Sequence, residues 1–90
     1  MSTKRIGIKE MPKVITLSDK PPTLEEMQEL VGGYVEHAKP LVPSDGVERQ
    51  YFINEDGKSL NLEPNPQATD HLGYPIVGNL VILEGKAIWE

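Results

Sequence analysis

The stretch Thr23-Leu24-Glu25-Glu26-Met27-Gln28-Glu29-Leu30-Val31-Gly32-Gly33 holds a start, an apolar stripe and a stop for one helix. A Thr with a Glu three residues on predicts a reciprocal capping box. The Thr23 hydroxyl accepts from the Glu26 backbone N–H, and the Glu26 carboxylate accepts from the Thr23 N–H. Pro21 and Pro22 push the residue ahead of each out of the α region, so the helix cannot begin earlier. Leu24, Met27, Leu30 and Val31 share one face at helical spacing. Glu25, Glu26 and Glu29 keep the other face wet, two of them in the first turn where the dipole favours negative charge. Gly32 offers the left-handed residue that closes a helix.

An apolar stripe needs a surface to cover, and the flanking sequence supplies strands. Residues 5–8 and 13–17 are rich in β-branched side chains, with Glu10-Met11-Pro12 between them, and predict an opening hairpin. In the second, Val14 and Thr16 share one face while Ile15 and Leu17 share the other. After Gly33, residues 34–42 turn extended, interrupted at Pro40, which suits an edge strand. Residues 50–54 predict a further strand, and Asp56-Gly57 a hairpin turn that returns through residues 58–62. Asn65 is a good N-cap and Pro66 a good first helical position, so a second helix of a turn or two is expected over residues 65–70, ending near Gly73. Residues 75–83 are nearly all apolar, as a central strand covered on both faces requires. Residues 85–90 read as a loose tail. The expected architecture is one α+β domain over residues 1–90. It has two layers, a mostly antiparallel sheet of about five strands packed by one amphipathic helix, plus the short second helix.

Composition narrows the function by exclusion. The 90 residues contain no Cys, which removes disulfides, thiolate metal sites and thiol nucleophiles and fits a reducing compartment. No apolar run approaches the roughly 20 residues needed to span a bilayer, and the first residues lack the apolar stretch of a signal peptide. A cytoplasmic protein with no membrane association is expected. Net charge is −5, unevenly placed: residues 1–20 carry five basic and two acidic groups, the remainder four and twelve. An acidic body repels phosphate backbones, so nucleic acid is a disfavoured partner.

Catalytic groups are not assembled by any motif. His37 and His71 stand far apart in the chain with no nucleophile placed beside either. Gly32-Gly33 ends a helix where a phosphate loop would open one. Asn54-Glu55-Asp56-Gly57 imitates a calcium loop, but that register puts Phe52 at the first ligand position, and Phe cannot ligate. No catalytic residue, metal site or cofactor is expected, and the chain reads as a non-enzyme. The candidate binding residues are Asn61, Asn65, Thr69 and Asn79, polar groups gathered beside the apolar 75–83 strand, with Gly78 allowing close approach. Each has a structural alternative: Asn65 as a cap, Gly78 as a bulge, Asn79 satisfying buried backbone. Glu25 and Glu29 are the candidate partner surface, and Tyr34, Tyr51, Tyr74 and Trp89 are aromatic groups divided between core and surface.

Three stretches together, LEEMQELVGGYVE (24–36), YFINEDGKSLNLEPNPQAT (51–69) and PIVGNLVIL (75–83), resemble a family of small phage and prophage domains of unknown function. The shared pattern is a TLEELQ-x-x-VGG-x-(I/V)E helix exit, N-E-(D/E)-G, L-x-x-N-x-x-A and I-x-G-(N/T)-x-(V/I), over residues 4–85. The resemblance implies a phage setting and no assigned activity. In that setting the expected function is a non-catalytic accessory protein that binds a host protein, for takeover or counter-defence, in the host cytoplasm. The alternative is a small-ligand protein that binds or sequesters a nucleotide-like signal, working as an oligomer because so thin a domain has little room for a pocket.

Overall fold

The computed structural model describes residues 11–41 and 45–90. The expected strand at 5–8, and with it the opening hairpin, lies outside the described residues. The organising helix, α1 (Leu24–Val31), starts and stops as its local signals require. Thr23 Oγ1 accepts from Glu26 N–H at 3.0 Å and Glu26 Oε1 from Thr23 N–H at 2.8 Å. Gly32 sits at φ 83°, and its N–H closes the last turn on the Gln28 carbonyl. Met27 and Val31 are buried, but Leu24 is 56% exposed. Helical side chains lean toward the N-terminus, so a first-turn Leu overhangs the surface that the next two turns cover.

Beneath α1 lies a four-stranded mixed sheet in the order β1 (Val14–Leu17), β4 (Leu80–Glu84), β3 (Arg49–Asn54), β2 (Val35–Ala38). The α+β class holds; the strand count is four where about five were expected. Two pairings are antiparallel, but β1 and β4 run parallel, with Val14 opposite Leu80 and Leu17 opposite Leu83. The last strand of the chain therefore fills the middle of the sheet. Its sequence explains why: Leu80, Val81, Ile82 and Leu83 are all buried. Val81 and Leu83 pack with Met27, Val31 and Phe52 beneath α1. Leu80 and Ile82 point the other way, to Ala68, Leu72 and Ile76. Burying each such side chain stabilises by about 1.5–3 kcal/mol relative to exposure.

Ala68 and Leu72 belong to α2 (Pro66–Leu72), so the second helix covers the second face and the sheet has a layer on each side. Asn65 caps α2 by accepting from Ala68 N–H, Pro66 follows at the first position, and Gly73 closes it at φ 90°.

Three further expectations are corrected. Residues 58–62 form no strand. Asn54 Oδ1 accepts from Asp56 N–H at 2.7 Å, and Leu60 N–H and Leu62 N–H bond to the Asp56 and Gly57 carbonyls. These local bonds satisfy the backbone that a hairpin ladder would have used. The expected 75–83 strand is broken at Gly78, at φ 78°. A Cβ there would meet Leu62 Cδ1 at 2.8 Å, and the left-handed φ is one that side-chain-bearing residues rarely adopt, so the position favours Gly. Ahead of the break, Val77 makes an isolated bridge to Pro64. Finally, the segment after Gly85 is not a loose tail: it makes a 3-10 turn (Gly85–Ala87), buries Ala87, and packs Ile88 and Trp89 on the α1-side core.

Candidate functional site

A groove of 550 Å³ runs between the exit of β1 and α1. Leu17, Pro21, Pro22 and Leu30 give it an apolar lining; Thr16 and Ser18 add hydroxyls; Asp19, Glu26 and Glu29 add carboxylates against the single ammonium of Lys20. Two prolines and a capped helix start make the 18–22 wall stiff. Its position is set from the far end of the chain. Trp89 Nε1–H donates to the Pro22 carbonyl at 2.7 Å, and the Trp89 ring packs on Phe52 at 5.0 Å. Gln50 holds the Trp89 backbone in both directions, at 2.7 Å each. Among the described residues Asp19 and Glu29 make no ion pair with a neighbour, whereas Arg49 pairs with Asp45 and Glu84. Glu26 spends one oxygen on the cap.

Of the sequence candidates, Glu29 lines this groove and Glu25 stands outside it on the same helix, exposed. Of the polar set, Asn65 and Asn79 are brought together elsewhere, at Lys13, and Thr69 and Asn61 are not. Asn65, 1% exposed, uses its whole side chain on backbone: Oδ1 accepts from Ala68 N–H at 3.1 Å, and Nδ2 donates to Lys13 O at 3.1 Å and Gly78 O at 2.7 Å. Asn79 Oδ1 accepts from Lys13 N–H at 2.8 Å and its Nδ2 donates to Leu30 O at 2.8 Å. Thr69 Oγ1 accepts from Ile76 N–H at 3.0 Å. Asn61 is exposed at φ 56°, the left-handed end of the 55–61 turns. Asn65 and Asn79 thus converge on the start of β1 as braces. A 300 Å³ depression lies beside Asn79, lined also by Met11, Leu62 and Glu63.

The aromatic and imidazole groups divide. Tyr34 is 66% exposed and shares a 340 Å³ depression with Leu60. Tyr51 and Tyr74 are half-buried on the α2 side. His37 stacks on Phe52 at 5.0 Å, and His71 is exposed in the last turn of α2, where the dipole favours a cation. On the α2 face a second depression of 430 Å³ lies among Lys39, Lys58, Tyr74, Glu36 and Glu55. At the start of β3, Arg49 donates to both Asp45 oxygens at 3.0 and 3.2 Å and to Glu84 Oε1 at 3.1 Å. The Arg49 hydrogen bonds, with one from Val47 N–H, hold the Asp45 carboxyl below its ordinary range; the same carboxylates push Arg49 up.

Sequence reasoning missed Asp19, Lys20 and Trp89 as parts of one site. The double proline was the available signal for a rigid wall, but nothing local ties Trp89 to Pro22, which is 67 residues away. Among the described residues there is no group of three or more His, Asp or Glu placed to hold a metal, and no helix is long and apolar enough to cross a membrane.

Neither a curated protein nor a solved structure matches the chain. A family model does, over residues 5–88. The ordered elements just described fall inside that match almost entirely, and the chain belongs to the family of the domain of unknown function DUF3846.

Proposed function

We propose that this protein is a non-catalytic accessory domain that acts by binding a host protein, and that the groove between residues 18–22 and α1 receives a basic segment of that partner. The observation that carries the reading is the groove's chemistry: 550 Å³, apolar inside, with Asp19, Glu26 and Glu29 against one Lys. An apolar centre with a charged rim is the usual composition of a protein–protein contact. Exposed carboxylates in excess attract cationic partners and turn away acidic ones, nucleic acid included. Each exposed ion pair contributes about 1 kcal/mol or less, so the lining supplies affinity and the rim supplies selectivity. The resemblance to phage-type domains supports a host protein as the partner, with takeover or counter-defence in the host cytoplasm as the setting.

The test is affinity capture from host cells with the wild type, an Asp19→Lys/Glu29→Lys variant, and a Glu48→Lys control away from the groove. The reading expects one host protein retained by the wild type and the control and lost by the groove variant. Equal retention by all three would remove the groove from the mechanism. A covalent change in the captured protein would replace binding with catalysis.

One observation favours the second reading, capture of a small nucleotide-like ligand: the 430 Å³ depression with Lys39 and Lys58 beside Tyr74. A ligand bound there raises the melting temperature by mass action, and Lys58→Glu would abolish that rise.

A further inference from the structure

We infer that residues 85–90 are an exchangeable arm, and that the slot receiving Trp89 also accepts Trp89 from a second copy of this chain. The inference goes beyond the groove reading and turns on how the arm is held. β4 ends at Glu84, and the chain turns back through the exposed pair Gly85-Lys86 before Ala87 is buried. Among the described residues the arm joins no strand ladder. The backbone bond that follows its turn, Ile88 N–H to Gly85 O at 3.5 Å, stays within the arm.

What holds the arm is recognition of one residue. The Gln50 side-chain amide donates to Trp89 O and accepts from Trp89 N–H, at 2.7 Å each, the pair of bonds that a neighbouring strand would otherwise make. The indole Nε1–H donates to Pro22 O at 2.7 Å. The ring packs on Phe52, which also stacks with His37. Gln50, Phe52 and Pro22 all belong to the body of the fold, so a Trp89 arriving from another molecule meets the same partners. Such a swap replaces contacts within one chain by identical contacts between two and needs no new surface. Each copy then supplies the indole that fixes Pro22 of the other.

The hinge decides which form prevails. Gly85 closes the arm at φ 58°, a left-handed conformation that side-chain-bearing residues rarely adopt. An opened arm has no such requirement. Extended, residues 85–89 reach about 16 Å, enough to pass from the end of one β4 to a molecule lying against it.

The test loads the hinge against closure in the full chain. In Gly85→Val, φ opposes the closed turn while space for the Cβ does not, since it meets the Ser18 carbonyl at 3.5 Å. Lys86→Pro acts independently, because a residue before proline is driven to the extended region. Sedimentation velocity should find both variants dimerising at least tenfold more tightly than wild type. The sole tryptophan should keep its wild-type emission, held between chains as it is within one. In a mixture of carbon-13-labelled and unlabelled chains, isotope-filtered NMR should find Trp89–Phe52 contacts between copies. Should circular dichroism find one variant unfolded, the other carries the test. Monomers with wild-type emission would show that the arm stays closed, and monomers with red-shifted emission that it opens and no second copy takes it; either result overturns the exchange. A dimer without the intermolecular Trp89–Phe52 contact would place association on another surface and overturn it equally.

Discussion

Among the described residues β1 and β2 lie at the two sides of the sheet, and both are four residues long, yet they are built on different terms. β2 is tied to β3 by antiparallel pairing, with His37 stacked on Phe52, and its outer side is guarded by Glu36, Lys39 and Pro40. β1 is tied to β4 in parallel, and its start is held by side chains from elsewhere. Asn79 takes the Lys13 N–H, and Asn65 shares the Lys13 carbonyl with Leu80. The place of β2 thus follows from its neighbour in the sheet, whereas the start of β1 depends on two asparagines that lie more than fifty residues along the chain.

The severest way to break this contrast is to cut the brace. Asn65→Ala removes the α2 cap and takes one donor from the buried Gly78 carbonyl and from the Lys13 carbonyl. A cap is worth about 1 kcal/mol and an unsatisfied buried group about 1–3, so a loss of about 3 kcal/mol in denaturant unfolding is expected. A loss under 1 kcal/mol would mean that β1 is positioned without it.

Next in size is the polar character of β2. Glu36→Val with His37→Val removes it and should produce concentration-dependent self-association in sedimentation velocity. If the variant sediments as the wild type does, these two residues do not keep β2 from pairing with other chains.

Thr23→Ala sharpens the groove side alone. Losing the box costs on the order of 1 kcal/mol and releases Glu26, so stability falls slightly while the groove gains a free carboxylate. Unchanged stability would place the helix start elsewhere.

The smallest effect concerns Asp45, which Arg49 ties down after the β2–β3 connection. Its carboxyl titrates below the ordinary carboxylate range. A depressed folded value means the interaction is fully present above the unfolded value and is lost as pH falls through the folded one. NMR titration should therefore find Asp45 returned toward its ordinary range in Arg49→Ala.

Legibility in the sequence followed the range of the interaction. Both helix starts and stops, Thr23 with Glu26, Asn65 with Pro66, Gly32 and Gly73, were readable because the partner atoms lie within four residues. The central place of residues 80–83 was readable because only a strand covered on both faces can be apolar throughout. The hairpin at 58–62 misled because Asn54 and the following carbonyls offered a local solution with the same turn residues.

By itself, then, the sequence determined two capped helices, an aliphatic α+β core and an acidic α1 surface, all through short-range sterics, capping and the need to bury apolar side chains. Only the tertiary structure decided that β1 runs parallel to β4, that Asn65 and Asn79 brace Lys13, and that Trp89 fixes the wall of the groove through Pro22. Each of those joins residues about fifty or more apart, and the geometry that selects one such pairing over its rivals exists only once the sheet has closed around β4.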